Sequence, residues 1–78
     1  MPNSTYQLLE IVGTSPVSSD EAIRNGIEKA SLSHPSLDWF QVIETRGQIR
    51  GGKVTQFQVI MKVGMRLDPP HSAPTTTL

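Results

Sequence analysis

The sequence predicts an α+β domain of order strand, helix, strand, strand, with a three-stranded antiparallel sheet folded against one helix. Three observations carry that prediction. Two alternating apolar and polar runs, Asp38 to Arg46 and Val54 to Leu67, flank Gly51-Gly52 and read as one long hairpin. A helix-start signal, Ser18-Ser19-Asp20-Glu21, precedes Ile23, Ile27 and Ala30 at helical spacing. A β-rich stretch, Tyr6 to Val12, comes before both.

In the first stretch Leu9 and Ile11 share one face, and Tyr6, Leu8 and Val12 share the other. Gly13-Thr14-Ser15-Pro16 is expected to end it as a turn, because proline removes a ladder donor. In the helix, Glu21 is expected to reach back to the Ser18 amide and complete a capping box, and Pro35 stops the helix after about four turns. Its apolar stripe is narrow, and Gly26 predicts close approach to a neighbouring element. Gly51-Gly52 suits a type I′ turn, which needs positive φ at both central positions. A two-residue loop then pairs Phe40 with Val63, Val42 with Met61, Glu44 with Val59 and Arg46 with Phe57. Together with Met65 and Leu67 these form the face expected to cover the helix. The opposite face carries Trp39 with Gly64, Gln41 with Lys62, Ile43 with Ile60 and Thr45 with Gln58, and Arg66 lies diagonal to Trp39.

A chain of 78 residues holds one domain. Residues 68–78, with Pro69, Pro70, Pro74 and a run of threonines, have no periodicity and are expected to be disordered, as are residues 1–4. That leaves residues 5–67 to fold, and a domain of this size buries only about 60% of its extended-chain surface, so its own core is marginal. Without cysteine it has no disulfide, Cys-based zinc site or thiol chemistry, and His34 and His71 are poor metal ligands by position, so no metal site is expected. Assembly is the remaining source of stability. Trp39, Ile43 and Ile60 leave an uncovered apolar stripe on the otherwise polar side of the sheet, which reads as a subunit contact.

Seven basic and seven acidic side chains give a formal net charge of zero, which supplies no long-range attraction for nucleic acid or an anionic membrane. No apolar stretch approaches the roughly 20 residues of a membrane span, and the first residues lack the pattern of a signal peptide. A cytoplasmic protein is expected. Catalytic motifs are absent as well. Gly13-Thr14-Ser15-Pro16-Val17 begins like a nucleophile elbow but lacks its second glycine, and no Gly-rich or Walker sequence offers a nucleotide seat. Glu10, Glu21, Glu28 and Glu44 lie on different elements, so none forms an acid/base pair. By residue type alone Trp39 is a core or subunit-contact tryptophan, and Gln58 and Arg66 are surface side chains. The glycine opposite Trp39 argues otherwise, since it leaves the indole one open face.

The segments Glu10-Ile11-Val12-Gly13-Thr14-Ser15-Pro16, Ala22-Ile23-Arg24-Asn25-Gly26, Leu37-Asp38-Trp39-Phe40, Arg46-Gly47, Phe57-Gln58-Val59 and Lys62-Val63-Gly64-Met65-Arg66-Leu67 closely resemble the bacterial dodecins, in order along the chain. The resemblance implies a hollow dodecamer of β-α-β-β subunits that stores and protects flavins and is not an enzyme. The implied ligand is FMN, with riboflavin or FAD as variants, and some members also bind coenzyme A. It makes Trp39 the stacking residue, Gln58 the partner of the ring edge, and Arg66 and Arg46 the basic residues near flavin or phosphate. Three positions depart from the family pattern: Gln48 in place of histidine, Met65 in place of phenylalanine, and Arg50-Gly51-Gly52 in place of an acidic turn. The competing readings are a coenzyme A-binding or purely structural shell, and a flavin-dependent reductase, for which no NAD(P)H seat exists. In the expected register Trp39 and Gln58 lie about 20 Å apart along one straight hairpin, so one flavin touching both requires a sharp bend or two subunits.

Overall fold

The computed structural model describes residues 4–67; of the segments expected to be disordered, residues 1–3 and 68–78, His71 among them, lie outside the described residues. Strand β1 (Tyr6–Ser15), helix α1 (Ser19–Ser33), strand β2 (Leu37–Arg50) and strand β3 (Lys53–Arg66) follow in that order. They form the expected α+β arrangement, with β3 central in an antiparallel sheet of order β1-β3-β2.

Strand β1 does not turn at Gly13. Gly13, Thr14 and Ser15 continue the ladder opposite Val59, Gln58 and Phe57, and pairing stops only where Pro16 has no N–H to offer. The Ser18 side chain caps α1 by accepting the Glu21 amide at 3.0 Å. The return half of the capping box is replaced. The Ser15 hydroxyl, on a residue only 1% exposed, accepts the Ser18 amide at 3.3 Å and the Val17 amide at 2.9 Å, and donates to Glu21 Oε1 at 3.2 Å. One buried hydroxyl thus ties the end of β1 to the start of α1. The helix closes with the His34 amide on the Ala30 carbonyl at 3.0 Å, one residue before Pro35.

Helix α1 packs chiefly on β1 and less closely on β3, and it meets β2 only across open clefts that Ile23 and Ile27 share with Phe40. The core is Ala22, Val59, Met61 and Val63. The most buried helical residue is Ala22 and not the expected Ile23, Ile27 or Ala30, because α1 meets β1 at Gly13, where backbone approaches backbone and only a small side chain fits. Gly26 makes the close approach expected of it: a Cβ there would lie 3.0 Å from the Gly13 Cα and 2.9 Å from the Met61 methyl. Because α1 does not close onto β2, Phe40 and Val42 stay 48% and 41% exposed, so the face expected to cover α1 is only half covered.

The hairpin turns at Gly51 and Gly52, with φ of 57° and 77°. Arg50 pairs with Lys53 and Ile49 with Val54, but irregularities near Gln48/Ile49, Ile43 and Asp38 then shift the register. Trp39–Gly64, Phe40–Val63, Gln41–Lys62 and Val42–Met61 pair as expected. Between the irregularities the pairs are Glu44–Ile60, Thr45–Val59, Arg46–Gln58 and Gly47–Phe57, and Ile43 has no opposite residue. A one-residue slip moves every side chain to the other face. Arg46, expected on the helix side, therefore stands beside Gln58 on the outer face, and Thr45 takes its place.

Candidate functional site

The outer face of the sheet holds two groups of side chains. At one end Trp39 lies across Gly64: a Cβ at residue 64 would overlap indole Cε2 and approach Nε1 to 2.6 Å. The glycine lets a flat ring rest on the backbone of β3, and the indole remains 41% exposed. Tyr6, brought alongside by the pairing of β1 with β3, sets its ring 5.8 Å from that of Trp39 at an interplanar angle of 58°. Its hydroxyl donates to Asp38 Oδ2 at 2.8 Å. Arg66 stands opposite Tyr6 on β3. Its Nη2 donates to Ser4 Oγ at 3.4 Å, while its Nε is buried with no hydrogen-bond partner among the described residues. A buried donor left unpaired carries a desolvation cost that a ligand acceptor would offset.

At the other end Gln58 is flanked by Thr14 on β1 and Arg46 on β2. Its Nε2 donates to Gln56 Oε1 at 2.8 Å. The sequence-predicted residues thus fall into two pairs, Trp39 with Arg66 and Gln58 with Arg46. The chain does not bring the pairs together, because Gly64 and Gln58 are six positions apart on β3, roughly 20 Å at about 3.3 Å per residue. Leu8 and Val12, 51% and 55% exposed on the same face, widen the apolar stripe expected from Trp39, Ile43 and Ile60.

Of the departures, Gln48 lies across from Gln56 and Met65 is half-buried opposite Leu37 and Gln7, both away from the Trp39 ring. Among the described residues no group of His, Cys, Asp and Glu is placed to hold a metal ion, and no helix is long and apolar enough to cross a membrane. Sequence reasoning missed Tyr6 and Asp38 as neighbours of Trp39, and Gln56 as the partner of Gln58. The alternation of Tyr6, Leu8 and Val12 gave the face of Tyr6 but not its register.

The family model described as Dodecin matches residues 5–68. A curated dodecin of Thermus thermophilus is 40% identical over 63 residues, covering 81% of this chain and 91% of that protein. The solved dodecin from Streptomyces davaonensis is 54% identical, with a TM-score of 0.82 over 87% of this chain and 100% of the other. The dodecin from Streptomyces coelicolor is 48% identical, with a TM-score of 0.82 over 88% and 99%.

Proposed function

Since the chain belongs to the dodecin family of non-catalytic flavin-binding proteins, we propose that it stores and sequesters FMN, stacking the flavin on Trp39 and quenching its photochemistry. The observation that carries this reading is the indole resting on Gly64 with its remaining surface exposed, next to an Arg66 Nε that is buried and unpartnered. A planar aromatic ligand with an anionic arm satisfies both. Trp39 supplies the stacking surface. Gln58 supplies hydrogen bonds to the polar edge of the ring, Arg66 a charge-assisted bond to phosphate, and Arg46, which the register shift places beside Gln58, a second cation.

Stacking is worth on the order of 1–3 kcal/mol, whereas micromolar affinity needs about 8 kcal/mol. Stacking and the roughly 1.5–3 kcal/mol of a charge-assisted bond from Arg66 together still fall short, so the Gln58 and Arg46 end must contribute to the same ligand. With the two ends roughly 20 Å apart on one chain, that contribution comes from a neighbouring subunit. Binding and assembly are then coupled, and the assembly is a hollow homododecamer. The exposed Phe40, Val42 and Ile43 of β2 and the narrow core favour association for their own reasons. Light scattering is expected to give a dodecameric mass, whereas a stable folded monomer at micromolar concentration would remove the two-subunit site.

The absorbance spectrum of the purified protein, with mass spectrometry of the released ligand, tests the function directly. Flavin bands with FMN as the released mass are expected; a colourless protein that also leaves added flavin fluorescence unchanged returns the structural or coenzyme A-binding shell. The Arg66→Ala variant is expected to weaken FMN by about 1.5–3 kcal/mol, the range for a charge-assisted bond, and riboflavin far less. Isothermal titration with the two ligands measures the difference. Equal losses would assign Arg66 to the ring or the shell.

A further inference from the structure

We infer that Gln56 is a positioning residue: its side-chain oxygen holds the Gln58 amide in the orientation that reads the ring edge of the flavin, and so sets the preference for a ligand bearing an imide N–H between two carbonyls. The inference rests on the flavin reading above and deepens it. Gln56 and Gln58 are two apart on β3, on the same face and both half-buried, and Gln58 Nε2 donates to Gln56 Oε1 at 2.8 Å. A primary amide has two N–H donors and one carbonyl acceptor. When the N–H trans to the carbonyl oxygen is the one committed to Gln56, one N–H and the C=O remain, side by side. That pair is the complement of one carbonyl and the neighbouring imide N–H of an isoalloxazine pyrimidine edge.

Gln56 lies where the sheet has narrowed to two strands. Strand β1 ends at Ser15, opposite Phe57, so Gln58 has neighbours on both sides, Thr14 and Arg46, while Gln56 has only Gln48 across from it on β2. The hydrogen bond of the Gln58 side chain runs to Gln56 and not to Thr14 or Arg46. Without the Gln56 oxygen the Gln58 amide can turn over, presenting donor where acceptor is needed, and its three side-chain torsions must be ordered by the ligand itself. A contact ordered beforehand removes that cost.

The probes are riboflavin and N3-methylriboflavin, which lacks the imide proton, titrated into the assembled protein. Gln56→Met and Gln56→Ala, which lack the acceptor, are each expected to weaken riboflavin about five- to tenfold and to reduce the preference over the methylated probe by a similar factor. Gln56→Glu keeps an acceptor at the same place and is expected to retain the preference within about twofold. In a Gln58→Ala background, Gln56→Met is expected to add no further loss, because the coupling runs through the amide. Unchanged affinity and preference in both acceptor-free variants would overturn the inference while leaving flavin binding in place. So would a loss of equal size in the Gln58→Ala background, which would make Gln56 an independent contributor. Failure of the wild type to bind either probe would defeat the flavin reading, and this inference with it.

Discussion

Gly13→Ala is expected to abolish folding, although it adds a single methyl group. That methyl would overlap the carbonyl oxygen of Ala22 and lie 3.0 Å from the Ala22 carbonyl carbon and 3.1 Å from the Met61 methyl. Met61 could move, but the carbonyl belongs to the first turns of α1 and has no rotamer to escape into. The helix must lift from β1, and Ala22, Val59, Met61 and Val63, the whole buried apolar set among the described residues, would open with it. Overpacking a core costs typically about 1–3 kcal/mol even where side chains can yield, and domains below about 70–80 residues rarely gain more than 3–5 kcal/mol from one core. Gly51→Ala is the control. Its φ of 57° makes alanine strained, but nothing lies within 4 Å of the new Cβ, so the cost is the roughly 1–2 kcal/mol of the left-handed backbone alone. Circular dichroism with urea titration is expected to show a cooperative transition for Gly51→Ala and none for Gly13→Ala. A Gly13→Ala protein that melts like the wild type would mean that α1 does not pack on β1 at this point.

Which features could be read from the sequence depends on how tightly each was pinned locally. Gly51-Gly52 fixed the hairpin turn, and from it Trp39–Gly64 and Phe40–Val63 pair as counted. Over Glu44, Thr45 and Arg46 no large apolar residue demands one face, so a one-residue slip costs little and leaves no mark in the pattern. There the count failed, and with it the side assigned to Arg46. The pairing of Tyr6 with Arg66 was hidden for another reason: α1 and the whole of β2 separate β1 from β3 along the chain, and no tight turn between them sets the register. The same blindness hid the proximity of Tyr6 to Trp39. Ser15 read as a turn residue, and its role at both ends of the β1–α1 connection depends on burial that sequence does not reveal. Gln56, in a polar ribbon beyond the end of β1, resembles any solvated glutamine until its bond to Gln58 is seen. The family resemblance supplied the roles given to Trp39, Gln58, Arg66 and Arg46; their arrangement in two separate pairs came only with the fold.

Replacing Trp39 with phenylalanine is expected to make the bound flavin fluoresce. An indole in van der Waals contact with a photoexcited ring gives it one electron and takes it back as the pair recombines, which drains the excited state before oxygen is sensitised. Phenylalanine keeps a flat ring over Gly64 but is far harder to oxidise, so the substitution separates stacking from quenching. The smaller ring also leaves part of the Gly64 surface uncovered, and binding is expected to weaken by roughly 1–2 kcal/mol, within the range for aromatic stacking. Tyr6 is the complication, since it is the other easily oxidised aromatic of the chain, and its ring is 5.8 Å from that of Trp39. It lies at 58° to the indole, so it cannot lie parallel to a flavin stacked on Trp39. Electron transfer from Tyr6 should therefore be slower than from Trp39, and Tyr6→Phe alone is expected to leave quenching intact. Fluorescence lifetimes recorded while flavin is titrated into wild type, Trp39→Phe and Tyr6→Phe decide between the donors. A longer lifetime for the bound fraction in Trp39→Phe only is the expected result. If that variant binds and quenches as fully as the wild type, the quencher is a second bound flavin or another group, and Trp39 stacks without protecting.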